Sequence, residues 1–182
     1  DQKGNIKDDF IIKGFVKDGE VKPLKKINLS KINLIFNLQN NKFEFKDINL
    51  SYDNNDLTFP ELNIKKQKNK FLVSGKNNSK NLVLDKKNIN QLLNVDFSNL
   101  KIKSAEFDLS NTFSFKIDNK YKLDDFKIDS LVNLKNSKVV SSKNLKEFFP
   151  ELNEIIELSD HQIEIKYKEN FLSIIGNGNI LI

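Results

Sequence analysis

Cysteine is absent from this chain, which removes disulfides, thiolate metal sites and a cysteine nucleophile together. That absence is compatible with an oxidising compartment without establishing one. Tryptophan and methionine are absent too, so 15 Phe and 3 Tyr carry the whole aromatic load. Arginine is also missing, and all 30 basic residues are Lys. Arginine is the side chain that grips phosphate bidentately and reads guanine edges. The lysines are mixed evenly with 25 acidic residues, so the net charge of +5 is spread rather than gathered. Nucleic acid is therefore not an expected partner. The abundance of Asn, Ile and Lys is the usage of an AT-rich genome, which makes part of the basicity compositional. No apolar run approaches the ~20 residues of a membrane helix. No signal peptide is visible. The chain opens on Asp1 and closes on the apolar run Ile180-Leu181-Ile182, which reads as a segment of a longer protein.

What is present is alternation. With 182 residues and 38% hydrophobic content, the chain is too apolar for disorder and rather polar for a compact globule. Ile32, Leu34, Phe36 and Leu38 point one way while Asn33, Asn37 and Gln39 point the other, the period of a strand with one wet face. The stretch Lys42-Phe43-Glu44-Phe45-Lys46-Asp47-Ile48-Asn49-Leu50 has a second copy in Lys120-Tyr121-Lys122-Leu123-Asp124-Asp125-Phe126-Lys127-Ile128. In both copies the apolar phase slips by one residue at the same place, from Phe45 to Ile48 and from Leu123 to Phe126. A slip sends the apolar set to the wrong face unless something absorbs it. Without the glycine of a two-residue hairpin, a bulge is the expected device. A further pair, Ile64 to Leu72 and Ile165 to Leu172, matches with one residue deleted, and each member runs on to a glycine, Gly75 and Gly176. The expectation is a single mainly β segment over 1–182: an elongated, curved antiparallel sheet from repeated strand units. The approximate internal repeats are 27–80 and 105–182, with a helical insert near 143–156.

The punctuation fills in the order. Phe10 to Val16 reads as a first strand, Asp18-Gly19 as a turn, and Val21 to Leu24 as a short piece broken by Pro23. Asn40-Asn41 and Asp53 to Asp56 are turns. Leu57 to Phe59, Leu62 to Ile64 and Phe71 to Val73 are strands, as are Gln162 to Tyr167, Phe171 to Ile175 and Ile180 to Ile182. Lys86 to Asn94 and Lys143 to Phe149 have helical spacing, with Asp85 and Ser142 as caps, and Leu152, Ile155 and Ile156 suggest a second short helix after Pro150.

Chemistry is hard to place on this sequence. His161 is the one histidine, and with Asp160 and Glu164 it could begin a metal or acid/base site, but three or four convergent ligands are the usual minimum. A turn residue opening a strand explains it better. Asp53 to Asp56 offers oxygen ligands without the glycine and distal Glu of a calcium loop. Asp124 and Asp125 are neighbours on a strand and face opposite ways. No phosphate loop, nucleophile elbow or HExxH helix is present. The reading is not an enzyme, with no cofactor and no metal. Asn28, Asn49 and Asn77 each start a glycosylation-type triplet, as an Asn-rich chain does by chance.

The remaining feature is an apolar stripe: Ile32, Leu34, Phe36, Phe43, Phe45, Phe113, Phe115, Ile117, Tyr121, Leu123, Ile163 and Ile165. Two arrangements produce it. One is a closed β-sandwich, a binding or adhesion module of a bacterial surface protein, with the stripe as dry core. The other is a curved sheet whose apolar face stays open as a binding site. The form apolar-x-apolar-x-Asp-apolar-x-apolar in Phe43 to Tyr52 and Tyr121 to Ile128, with the end Ile174-Ile175-Gly176-Asn177-Gly178-Asn179-Ile180, resembles the repeats of AsmA-like proteins. The helical insert departs from that pattern. The resemblance implies a taco-shaped β-groove with an apolar lining. It implies a periplasmic protein of a Gram-negative bacterium, anchored to the inner membrane through segments outside this chain. Its ligand would be phospholipid, conducted by its acyl chains between the inner and outer membranes, with no catalytic residues.

Overall fold

The computed structural model describes residues 10–24, 27–85, 101–140, 146–147, 150–151 and 153–178. Among these residues ten strands follow in chain order: β1 (Ile11–Leu24), β2 (Ile27–Gln39), β3 (Lys42–Tyr52), β4 (Asn55–Gln67), β5 (Lys70–Asp85), β6 (Lys101–Asp118), β7 (Leu123–Val140), β8 (Ile155–Leu158), β9 (His161–Lys168) and β10 (Phe171–Asn177). All join one curved, open antiparallel sheet, a meander from β1 to β7 that continues through β9 to β10. β8 and β9 lie end to end along the same edge of β7, separated at Asp160. Among the described residues no second sheet faces this one, so a closed sandwich is not the arrangement.

The register explains how one face stays apolar over strands as long as the 18 residues of β6 and β7. Phe36 pairs with Phe45, Phe45 with Leu62 and Leu62 with Gly75. Val73 pairs with Phe115, Phe113 with Ile128, and Ile128 with Tyr167. Cross-strand partners share a face, so these side chains form one surface. Where the sequence slips, the backbone slips with it. Asp47 has φ 50° and Asp125 φ 51°, and each is the extra residue of a bulge, against β2 and against β6 respectively. The repeated slip is thus absorbed as a bulge. Asp18, Lys31 and Asn81 do the same in β1, β2 and β5, at φ 52°, 50° and 53°.

Side chains hold these left-handed residues in place. Asn33 Nδ2 donates to the Lys31 carbonyl at 2.9 Å, while its Oδ1 accepts from the Asp18 N–H at 3.2 Å. Asn49 Nδ2 reaches the Asp47 carbonyl at 3.2 Å. At Asn81 the N–H donates to Asp108 Oδ1 at 2.8 Å, and Lys135 Nζ bridges Asp108 Oδ1 at 2.8 Å and Asn81 Oδ1 at 2.6 Å. The Asp125 carboxylate is clasped by Lys116 at 3.0 Å and Lys127 at 3.1 Å. These partners hold Asp108 and Asp125 below the ordinary carboxylate range: for Asp108 chiefly the Lys135 bond, for Asp125 the Lys116 bond. A depressed carboxylate contributes stability that is complete above its unfolded value, near 3.8, and is lost as pH falls through its folded one.

Several boundaries differ from the sequence reading. Asp18-Gly19 is a bulge inside β1 and not a turn, and Pro23 lies within the same strand. Leu57 to Phe59 and Leu62 to Ile64 are one strand, β4, with Pro60 opposite the Asp47 bulge. Ile155 and Ile156 form β8 against Val140 and Val139 and are not helical. Lys146 and Glu147 have helical backbone, while Lys86 to Asn94, the rest of Lys143 to Phe149, Leu152 and Ile180 to Ile182 lie outside the described residues. The one-residue deletion between the Ile64 and Ile165 hairpins has a consequence. Phe71 faces Ile117 on the apolar side, whereas Phe171 falls on the opposite face from Leu172 and Ile174, which share the apolar side with Ile165.

Lys31 has no glycine-like freedom, and an L side chain in the left-handed region costs about 1–2 kcal/mol. Lys31→Gly is expected to raise stability by up to about 1 kcal/mol, the relief being offset in part by glycine's larger unfolded entropy. Urea unfolding measures it, and a clear loss of stability would contradict the bulge at this position.

Candidate functional site

The apolar face is the candidate site, and its residues are neither core nor fully exposed. Ile32, Leu34, Phe36, Phe43, Phe45, Phe113, Phe115, Ile117, Ile163 and Ile165 are all half-buried and, by register, share one face. Tyr121 does not join them: it sits in the β6–β7 turn with φ 61° and 84% exposure. Leu123 pairs with Ile117 at the rim and is exposed. The sequence reading of the stripe missed the strands between. Leu62 and Ile64 of β4, Val73 of β5, Ile128 and Val132 of β7 and Tyr167 of β9 are cross-strand partners of the same set. The two-residue turns Asn40-Asn41 and Lys68-Asn69 fix that pairing, and counting outward from them would have found Leu62, Ile64 and Val73.

Burial identifies the concave side. Only Ile48, Val73, Leu82, Ala105 and Val139 are buried apolar side chains among the described residues. The buried polar ones, Asn77, Ser79, Ser130 and Ser137, lie on the same face. In a single layer, a small residue is buried only when larger neighbours on its own face lean over it. On β5 the alternation is sharp: Val73, Gly75, Asn77 and Ser79 are buried, whereas Lys76, Asn78 and Lys80 are exposed. The apolar face is therefore the inner face of the curve.

Phe36, Phe45, Phe113 and Phe115 are aromatic side chains of this face, while Phe15 and Phe171 lie on the other face. A methyl group at Gly75 would sit 2.8 Å from the Phe113 ring and 2.9 Å from the Glu61 carbonyl oxygen, and one at Gly14 would sit 2.5 Å from the Phe36 ring. Each ring thus lies over a glycine of the adjacent strand, covering backbone that has no side chain of its own. Phe113, Phe115, Phe126 and Tyr167 continue as a ribbon of rings across β6, β7 and β9, with centroids 6.3, 6.5 and 5.7 Å apart.

The outer face carries charge. Lys76 pairs with Glu61 at 2.9 Å, and Lys138 with Glu157 at 2.9 Å. Lys42 pairs with Glu44, whose carboxyl is held below its usual range first by Lys42 and then by Asn37. Exposed pairs of this kind contribute little stability, so they keep this face wet.

His161 opens β9, half-buried, with Nδ1 at 2.8 Å from the Ser159 carbonyl. Glu164 pairs with Lys166 at 3.4 Å. No group of three or more metal-ligating side chains occurs among the described residues, and no helix among them is long and apolar enough to cross a membrane. Asp124 bonds Lys70 at 2.7 Å while Asp125 bonds Lys116 and Lys127, so the two carboxylates serve separate ion pairs. The triplet residue Asn77 is buried, while Asn28 and Asn49 are exposed.

Comparisons of the chain with protein-family models, with curated proteins and with solved structures gave no match.

Gly75→Ala is expected to destabilise the sheet by about 1–3 kcal/mol, since the Glu61 backbone cannot yield as a flexible side chain would. Gly176, with no atom within 4 Å of an added methyl, serves as the control: Gly176→Ala should change stability by less than about 0.5 kcal/mol. Equal thermal shifts for the two variants would contradict the position of the Phe113 ring.

Proposed function

We propose that the inner face of the sheet binds the acyl chains of phospholipid. In this reading the chain is a segment of an AsmA-like periplasmic bridge, and its groove conducts lipid between the inner and outer membranes. The observation that carries the reading is the half-buried apolar face itself: a continuous inner surface of Phe, Leu and Ile with no second layer over it among the described residues. Apolar patches larger than a few hundred Å² on a protein surface mark binding sites. The charged outer face and the repeated strand unit support the same reading.

The mechanism is passive. Acyl chains lie against the rings of Phe45, Phe113 and Phe115 while head groups stay in water. Burying one methylene is worth about 0.8 kcal/mol, so a chain moves along the face only where successive positions bind it alike. The strand unit repeated at β3 and β7, each with its bulge at Asp47 or Asp125, supplies that likeness. The reading assigns no catalytic residue, cofactor or metal, and no nucleic acid. It places the parent protein in the periplasm, anchored to the inner membrane outside this chain.

Native mass spectrometry of the purified chain is expected to find bound phospholipid. Phe45→Glu places a carboxylate among the lining residues and should abolish capture while leaving the far-ultraviolet circular dichroism of the sheet unchanged. An unfolded Phe45→Glu variant would mark Phe45 as structural core. A wild-type chain that captures no phospholipid from vesicles would sink the proposal.

A further inference from the structure

We propose that the sheet hinges between β4 and β5, with β1–β4 and β5–β10 as two leaves whose opening sets the width of the inner trough. The observation is a gap in the hydrogen-bond ladder. β4 and β5 pair from Gln67 with Lys70 to Glu61 with Lys76, and there their ladder ends. Both strands run on. β4 reaches back to Asn55, still paired with β3 as far as Tyr52, and β5 reaches forward to Asp85, still paired with β6 as far as Ser104. The split therefore lies inside the sheet, between two ladders that continue.

Local features put it there. Pro60, the first residue of β4 past the ladder, has no N–H to donate. Asp47 is left-handed opposite Pro60, and Asn81 is the bulge residue of β5. A bulge bends its strand, so β3 with β4 and β5 with β6 follow different paths beyond Glu61.

Side chains bridge the gap in place of the ladder. Asn55 Oδ1 accepts the Val83 N–H at 2.6 Å, and Asn55 Nδ2 donates to the Val83 carbonyl at 3.1 Å. One amide thus satisfies both backbone groups of one residue, at a side chain's reach. Midway, the Thr58 N–H donates to Ser79 Oγ at 3.0 Å. Ser79 is wholly buried, and its own N–H turns aside to Asn77 Oδ1 at 3.2 Å. Opening the seam breaks these three bridging bonds, whereas parting β5 from β6 or β6 from β7 breaks a backbone ladder. Motion is drawn from the junction held least firmly. The paired stretch of Glu61–Gln67 with Lys70–Lys76 is the pin, and Asn55 is the latch. The inference does not depend on what the inner face binds.

Distances between spin labels test it on the whole chain, which has no cysteine of its own to label. Asn28→Cys with Lys80→Cys spans the seam from β2 to β5. Lys80→Cys with Gln162→Cys spans as many strands within one leaf, from β5 to β9. All three sites are exposed. Pulsed dipolar spectroscopy is expected to give a broad distance distribution for the seam pair and a narrow one for the control. Asn55→Ala should move the seam distribution to longer distances, leave the control in place and speed exchange of the Val83 amide about tenfold. Asn55→Asp keeps the acceptor for the Val83 N–H, loses the donor and should fall between. A seam distribution as narrow as the control would overturn the proposal. So would one that Asn55→Ala leaves unmoved, or a variant that broadens both pairs alike and so loosens the sheet as a whole.

Discussion

The structure depends on phase. A strand has period two, so a single missing or added residue exchanges its faces. Keeping apolar side chains on one surface through strands of 11 to 18 residues requires the backbone to slip wherever the sequence does. Left-handed residues at Asp18, Lys31, Asp47, Asn81 and Asp125 perform that correction, and nearby Asn, Asp and Lys side chains brace them. Asp and Asn tolerate this conformation better than other non-glycine residues, which ties the chain's Asn- and Asp-rich composition to its architecture.

A sheet phased in this way, with no second layer over it among the described residues, has little core. Five buried apolar side chains among the described residues contrast with a far larger set held half-buried on the inner face. The sheet is held chiefly by its backbone ladders, by cross-strand pairs on one face and by the curl that shades small residues such as Ser79 and Ser130. Such a surface has unspent capacity to bury hydrocarbon, and it is this surplus that connects the architecture to the proposed lipid ligand.

The class of fold and the two repeated slips were legible because alternation is local: Phe43, Phe45, Ile48 and Leu50 announce both the face and the break in it. Bulge and turn are harder to separate, since both use Asp or Asn in left-handed geometry. Asp18-Gly19 resembles a hairpin turn in sequence, and only the pairing of Val16 with Leu34 and Gly19 with Ile32 carries β1 straight on. Ile155 and Ile156 have helical spacing with Leu152, yet the free edge of Val139 and Val140 takes them as a strand, a case of non-local pairing overriding local preference. Tyr121 matched Phe43 in the repeat but fell in the turn, because the β6–β7 connection is built around Asp118, whose carboxylate accepts the N–H groups of Lys120 and Lys122. The stripe itself was read on β2, β3, β6 and β9, where apolar and polar residues alternate without a break. The members on β4 and β5 depended on pairing that the hairpin turns encode.

The described strands form a single open layer, and among the described residues its inner face is uncovered. Small-angle X-ray scattering from the single-copy species measures that directly. A compact globule of 182 residues has a radius of gyration of about 16 Å. An open layer is expected to give a distinctly larger value, with the scattering profile of a curved sheet about 38 Å across its strand order. A radius near 16 Å would mean that the apolar face is folded shut, and would contradict it.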